Sequence, residues 1–335
     1  MPRRSENRGA ALAALLAVLL LVATAGCGGG GDREAVRLGY LPNLTNAVAL
    51  VGVHEDVFAQ EMAPARLETT RFATGTEAVA ALLSGSLDAS YMGMGPVITT
   101  LSRAPGTVRV LSGAGAAGAV LVVRRGSGIR TVADLRGRRV GFPGYGNTQD
   151  LALRWELGRV GLRPARGGEV QIVRVRNADL RTAFERGALD AALCPEPWGT
   201  LLVRRGLADV LLPADRVMVD GGYPTTVLVV NADFADRNPE VVARLMTAHR
   251  RAVAAARRPG AVEEAFRELV SADTPPEVVA EGVRANRITT AIDRDGTARL
   301  VEAADRAGYL RDPVPLEVLI PPPAPPPGGV GRPAS

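Results

Sequence analysis

The chain has 335 residues, 40 basic against 35 acidic side chains, a formal charge of +5 and a pI near 9.8. Every one of the 40 Lys/Arg positions is an arginine, and these are scattered among the acids with no basic cluster longer than three and no aromatic interleaving. The charge therefore reads as solvated faces, which excludes a nucleic-acid surface as the expected partner.

In chain order, Arg3, Arg4 and Arg8 precede an uncharged apolar run of 16 residues from Ala10 to Ala25. That run is shorter than the roughly 20 residues a membrane-crossing helix needs, and it ends at small residues, so residues 1–26 read as a signal peptide. Thr24-Ala25-Gly26-Cys27 resembles a bacterial lipobox, with Thr24 where Leu is more usual. The resemblance implies that Cys27 is lipidated and that the protein is exported and held on the outer face of a bacterial membrane. Residues 27–33 then form a glycine-rich tether. With Cys27 modified, only Cys194 remains, and no intramolecular disulfide is expected.

The 309 residues after the leader suffice for two domains. Short β-branched runs alternate with helical stretches: strands at 36–41, 67–72 and 88–92, helices at 46–61 and 77–84. A second series follows, with strands at 138–142, 170–175 and 190–193 and helices at 150–160 and 180–186. Such alternation predicts parallel α/β structure. The two series also share sequence: Arg37-Leu38-Gly39-Tyr40 is similar to Arg139-Val140-Gly141-Phe142, and Gly85-Ser86-Leu87-Asp88-Ala89 to Gly187-Ala188-Leu189-Asp190-Ala191. Both pairs lie 102 residues apart, as two similar lobes would place them.

Two glycine-bearing stretches, 113–119 and 218–230, read as crossings between lobes. Lobe one is expected at 34–116 plus 221–320, and lobe two at 117–220. Residues 239–308 read as amphipathic helices packed on lobe one. The Pro/Gly-rich stretch 321–335 reads as a disordered tail.

Gly39-Tyr40-Leu41-Pro42, the stretches 72–96 and 131–143, Gly146 to Trp155 and Pro195 to Val203 together resemble the periplasmic binding proteins for nitrate, taurine and aliphatic sulfonates. The likeness covers roughly residues 36–310 in matching order. It implies a two-lobed type II binding-protein fold with a cleft between lobes, delivery of a small solute to an ABC permease, and no catalysis. A monomer without cofactor or metal is expected.

Ligands in open α/β sheets sit beyond the carboxyl ends of the strands, so the loops there are the candidate contacts. In lobe two, Asn147, Thr148 and Gln149 open a helix, whose unpaired amides and positive dipole end favour an anion. Asn147 or Thr148 as a plain N-cap is the alternative. In lobe one, Thr74, Gly75 and Thr76 open a second helix, and Pro42, Asn43, Met94, Gly95 and Pro96 end neighbouring strands. In the loop Pro195 to Trp198, Trp198 offers an aromatic wall, while Glu196 either caps its helix or holds an amino group. Tyr223 is a hinge-side candidate.

An aliphatic sulfonate or taurine is the expected ligand, with nitrate or bicarbonate as an alternative. Binding of, or catalysis on, a thiamine-pyrimidine precursor is a further alternative, since relatives of the fold act in that chemistry. The sequence offers an enzyme little: His54 and His249 lie far apart without an HExxH motif, and Cys194 has no histidine nearby. A purely adhesive surface lipoprotein would not require paired helix-start loops.

Overall fold

The computed structural model describes residues 35–164 and 169–321; the leader, Cys27, the tether and the chain from residue 322 lie outside the described residues. The strands of the first series are β1 (Ala35–Tyr40), β2 (Arg66–Arg71), β3 (Ala89–Met92) and β4 (Val108–Ala117). Those of the second are β5 (Ala119–Arg124), β6 (Arg139–Phe142), β7 (Gln171–Arg174), β8 (Ala191–Pro195) and β9 (Ala208–Leu212). The chain then returns with β10 (Pro224–Asn231) and β11 (Asn286–Arg287). They form two sheets, ordered β11-β4-β10-β3-β1-β2 and β7-β6-β8-β5-β9.

The repeat read from the sequence is a repeat of register. Leu38 and Gly39 pair with Ala89 and Ser90 in the first sheet, and Val140 and Gly141 with Ala191 and Ala192 in the second, each 102 residues on. Within each half the two strands that flank the first are parallel to it, and an antiparallel strand follows the third: β10 beside β3, β5 beside β8.

One ion pair explains why the motif recurs. Asp88 is buried at the head of β3 and accepts from the Arg37 amide at 2.8 Å and from its Nε at 3.0 Å and Nη2 at 2.5 Å. Asp190 does the same for Arg139, at 3.0 Å from the amide, 3.1 Å from Nε and 3.0 Å from Nη2, and also takes Arg124 Nη2 at 2.6 Å. In both halves the aspartate locks the first strand to the third at the edge away from the loops.

Several elements depart from the sequence reading. The helix expected over 46–61 is two helices, Ala47–His54 and Val57–Met62, because Asp56 adopts a left-handed conformation at φ 55°. The Gly/Ala stretch expected as a crossing is the second half of β4, and the crossing narrows to Ala117 and Gly118, at φ 58° and 78°. Its glycines serve close packing: a Cβ at Gly113 would lie 2.7 Å from the Ala291 carbonyl oxygen. The second crossing is the loop before β10, where Met218, Val219 and Gly221 all have positive φ.

The C-terminal helices do more than cover the first half. Pro239–Ala256 packs on Ala47–His54 and Val57–Met62, as expected of lobe one. Arg294–Arg306 instead packs on both Met94–Leu101 and Thr148–Arg159, and Pro276–Ala285 meets Trp198–Arg204, so these two helices bridge the halves. Leu300, Ala303 and Ala304 share one buried cluster with Leu151, Ala152 and Leu153 of the second half. Buried His249 is held between the Tyr91 hydroxyl at 2.8 Å and Ser112 Oγ at 3.0 Å, and burial pushes its imidazole down to about 4, which keeps it neutral. No helix among the described residues is long and apolar enough to cross a membrane.

Burial opposes ionisation of Asp190, yet the hydrogen bonds from Arg139 and the charges of Arg139 and Arg124 outweigh it and hold the carboxyl below its ordinary value. A depressed carboxyl contributes stability above its unfolded pKa, about 3.9, and loses it as pH falls through the folded value. Asp190→Asn should therefore cost about 1–2 kcal/mol at pH 7, since the arginines are partly exposed and the bonds screened. Urea unfolding should show that difference at pH 7 and show it closing as pH falls below the unfolded value of about 3.9.

Candidate functional site

The carboxyl ends of the parallel strands in the two sheets face each other across one cavity. The loop after β1 contributes Leu41, Asn43, Thr45 and Asn46; that after β2, Ala73, Thr74 and Gly75; that after β3, Gly93 and Pro96. From the second half come Pro143, Asn147, Thr148 and Gln149 after β6, Asn177 after β7 and Pro195 at the end of β8. Thr225, at the start of β10, completes the wall. None of these lining residues carries a charge or an aromatic ring.

Helix starts dominate the wall. Thr74 caps the helix Gly75–Leu83 by accepting from the Glu77 amide at 3.3 Å, and the Glu77 carboxylate accepts from the Ala73 amide, one residue before the cap, at 3.2 Å. Asn147 precedes the helix Thr148–Arg159 without capping it by its side chain. Asp150 in the first turn instead ties down the loop ahead of the helix: its Oδ2 accepts from the Gly146 amide at 2.9 Å and from the Tyr309 hydroxyl at 2.6 Å, and its Oδ1 from Arg154 Nε at 2.7 Å. Asn147 is thereby left to the cavity, and its Oδ1 meets Thr76 Oγ1 of the other half at 3.5 Å.

The halves touch at their loops. Thr148 Oγ1 accepts from the Gly95 amide at 3.0 Å, and the Leu44 amide donates to the Glu196 carbonyl at 3.0 Å. The first contact requires glycine: a Cβ on Gly93 would sit 2.2 Å from Thr148 Oγ1, and one on Gly95 would sit 2.7 Å from the Thr148 amide nitrogen.

Of the residues expected from sequence, Asn43, Thr74, Gly75, Pro96, Asn147, Thr148 and Gln149 come together on the wall. Gly95 lies directly behind it against Thr148, and Thr76 is exposed at its rim. Pro42 is half-buried beside it, and Met94 is turned fully into the hydrophobic core. Trp198 stands off the wall and packs on the core of the second half with Val203 and Leu207. Tyr223 is buried in the core with an unpartnered hydroxyl, and burial raises its pKa.

Glu196 also stays off the wall: its two oxygens accept from the Thr200 amide at 2.9 Å and the Thr200 hydroxyl at 3.1 Å, so it secures its own helix start. Burial outweighs the hydrogen bonds from Thr200 and, with the charge of Glu281, pushes its carboxyl up to about 7. Cys194 is buried, and burial together with Glu196 raises its thiol, which removes it as a nucleophile. His54 lies with Glu264 and Glu268 at the far end of the helix Ala47–His54 from Thr45 and Asn46, and takes no part in the cavity.

Sequence reasoning missed Thr45, Asn46, Asn177 and Thr225.

A model of the NMT1-like family matches residues 29–270. The chain belongs to the NMT1-like family. This NMT1-like chain is similar to the taurine-binding periplasmic protein of Escherichia coli K12, with 30% identity over 212 residues, 63% of this chain. The match spans 63% of that relative's own length. Its structure is similar to that of the alkanesulfonate-binding protein SsuA from Xanthomonas axonopodis pv. citri bound to MOPS, at a TM-score of 0.72 and 19% identity, covering 85% of this chain and 97% of that one. It is likewise similar to the periplasmic nitrate-binding protein NrtA from Synechocystis PCC 6803, at 0.70 and 16%, over 84% and 83%. The NMT1-like chain thus has the two-lobed α/β fold of the periplasmic solute-binding proteins.

Two measurements probe this geometry. In Gly95→Ala the new methyl meets backbone that cannot step aside, so the loop contact should open at a cost of about 1–3 kcal/mol. Hydrogen exchange should then find the amide at position 95 exchanging roughly 10- to 100-fold faster, with the amides of Arg37 and Arg139 unchanged. The Glu196 carboxyl, raised in the folded state, favours the protonated form, so stability should fall as pH rises from about 4.5 to 7 by about 3 kcal/mol. Glu196→Gln should flatten that slope in urea unfolding followed between pH 4 and pH 8.

Proposed function

We propose that the chain is the extracytoplasmic solute-binding protein of an ABC importer, exported by its leader, anchored through lipid on Cys27, and monomeric. Residues 34–116 plus 221–320 form one lobe and 117–220 the other. A small organic anion such as an aliphatic sulfonate enters between them, the lobes close on it, and the closed form docks on the permease. The observation that carries this reading is the cavity built from helix starts of both halves: Thr74 and Gly75 on one side, Asn147, Thr148 and Gln149 on the other. Anions bind at such starts without a cation, because the first amides of a helix have no partner within it and the dipole adds positive potential. A ligand reaching both sides stabilises closure by its contacts with the second lobe.

Catalysis finds no support in the wall, which offers amides and hydroxyls but no acid, base or activated nucleophile. A bare inorganic anion, nitrate or bicarbonate, is the second reading. It is favoured by the retreat of Trp198 from the cavity, which leaves no aromatic wall for a long tail.

Thermal unfolding against alkanesulfonates, taurine, nitrate, bicarbonate and pyrimidines tests the reading. At 100-fold excess over Kd a true ligand contributes about 2.7 kcal/mol, or a rise of roughly 5 °C. Thr148→Ala, which removes both a wall hydroxyl and the bond to Gly95, should abolish most of that rise. Thr76→Ala, exposed at the rim, should leave most of it. Silence across the whole panel would overturn the reading.

A further inference from the structure

We infer that the solute is an anion without an amino group, and that Thr225 contacts it from the first lobe. This rests on the receptor reading above and narrows it. Thr225 is 2% exposed, lies on the cavity wall, and its hydroxyl has no partner in the protein. A buried hydroxyl left unpaired is costly, so its place on the wall marks it for a ligand atom. Across the cavity, Asn177 also lines the wall with a buried side-chain oxygen that has no partner, and a half-turn of its amide presents N–H instead.

The rest of the wall decides the charge. An ammonium taken out of water needs a carboxylate or a set of oriented carbonyl oxygens to replace its hydration. No carboxylate lines the cavity, and the acid of the Pro195 to Trp198 loop, Glu196, has each oxygen engaged by Thr200. Glu196 is also walled off, since its Cβ faces Gly282 of the bridging helix Pro276–Ala285, where an added Cβ would lie 3.2 Å away. Meanwhile the helices Gly75–Leu83, Met94–Leu101 and Thr148–Arg159 all begin at the wall, and their positive ends repel a cation as they attract an anion. A zwitterion therefore gains at its anionic end and loses at its cationic end. The same molecule without the amine has only the gain.

Isothermal titration of the protein with two matched pairs tests this: ethanesulfonate against taurine, and propionate against β-alanine, with nitrate alongside. The amine-free member of each pair should bind at least tenfold more tightly. Thr225→Val, which keeps the shape and removes the hydroxyl, should weaken the better anion about tenfold, and Thr225→Ser should restore it. Tighter binding of taurine than of ethanesulfonate would overturn the inference and leave the receptor reading standing. So would unchanged affinity in Thr225→Val. Binding of neither pair and of no nitrate would overturn both.

Discussion

The meeting of two backbones across the cleft governs the rest of the molecule. Gly95 gives its amide to Thr148 Oγ1 at a separation that leaves no room for a side chain on Gly93 or Gly95. Because that approach is made by loops at the carboxyl ends of strands, the helix starts that follow them are brought to a common space. The site is thus shared between the halves: each contributes helix starts, and together these make one wall without a charged residue. Helix starts are well suited to this, because their partial charge is fixed in the backbone and needs no counter-ion when the cleft is open.

Much of the fold was legible because the chain states its central interaction twice. The Gly-x-Leu-Asp-Ala motif places an aspartate at the head of the third strand of each half, where it takes the amide and guanidinium of an arginine in the first. A motif repeated at one spacing therefore reported a repeated register, and the sheets followed. What the sequence did not disclose was the use of its glycines. In the stretch 113–119, glycine is equally consistent with a flexible crossing and with a strand pressed against neighbouring carbonyls, and only the tertiary contact with Ala291 decides between them. The break at Asp56 was hidden for a similar reason, since an apolar helical pattern continues through it.

The site was half legible. Helix starts announce themselves through residues such as Thr74 and Asn147, and those came to the wall. Trp198 and Tyr223 were chosen for chemistry that a ligand would welcome, and both are claimed by core packing. Glu196 was open between two roles, and Thr200 settles its place at the helix start. Thr225, Asn46 and Asn177 carry no local motif; they reach the cavity only because strands distant in sequence end there. Their discovery depends on topology, which spacing along the chain does not encode.

The central claim is that ligand holds the two halves together, and small-angle X-ray scattering of the protein with and without a saturating anion tests it most directly. The account predicts a smaller radius of gyration with ligand, and a ligand-bound profile that fits the closed arrangement described here. Identical profiles in the presence of an anion shown to bind would contradict it, because the ligand would then occupy the cleft without joining its walls.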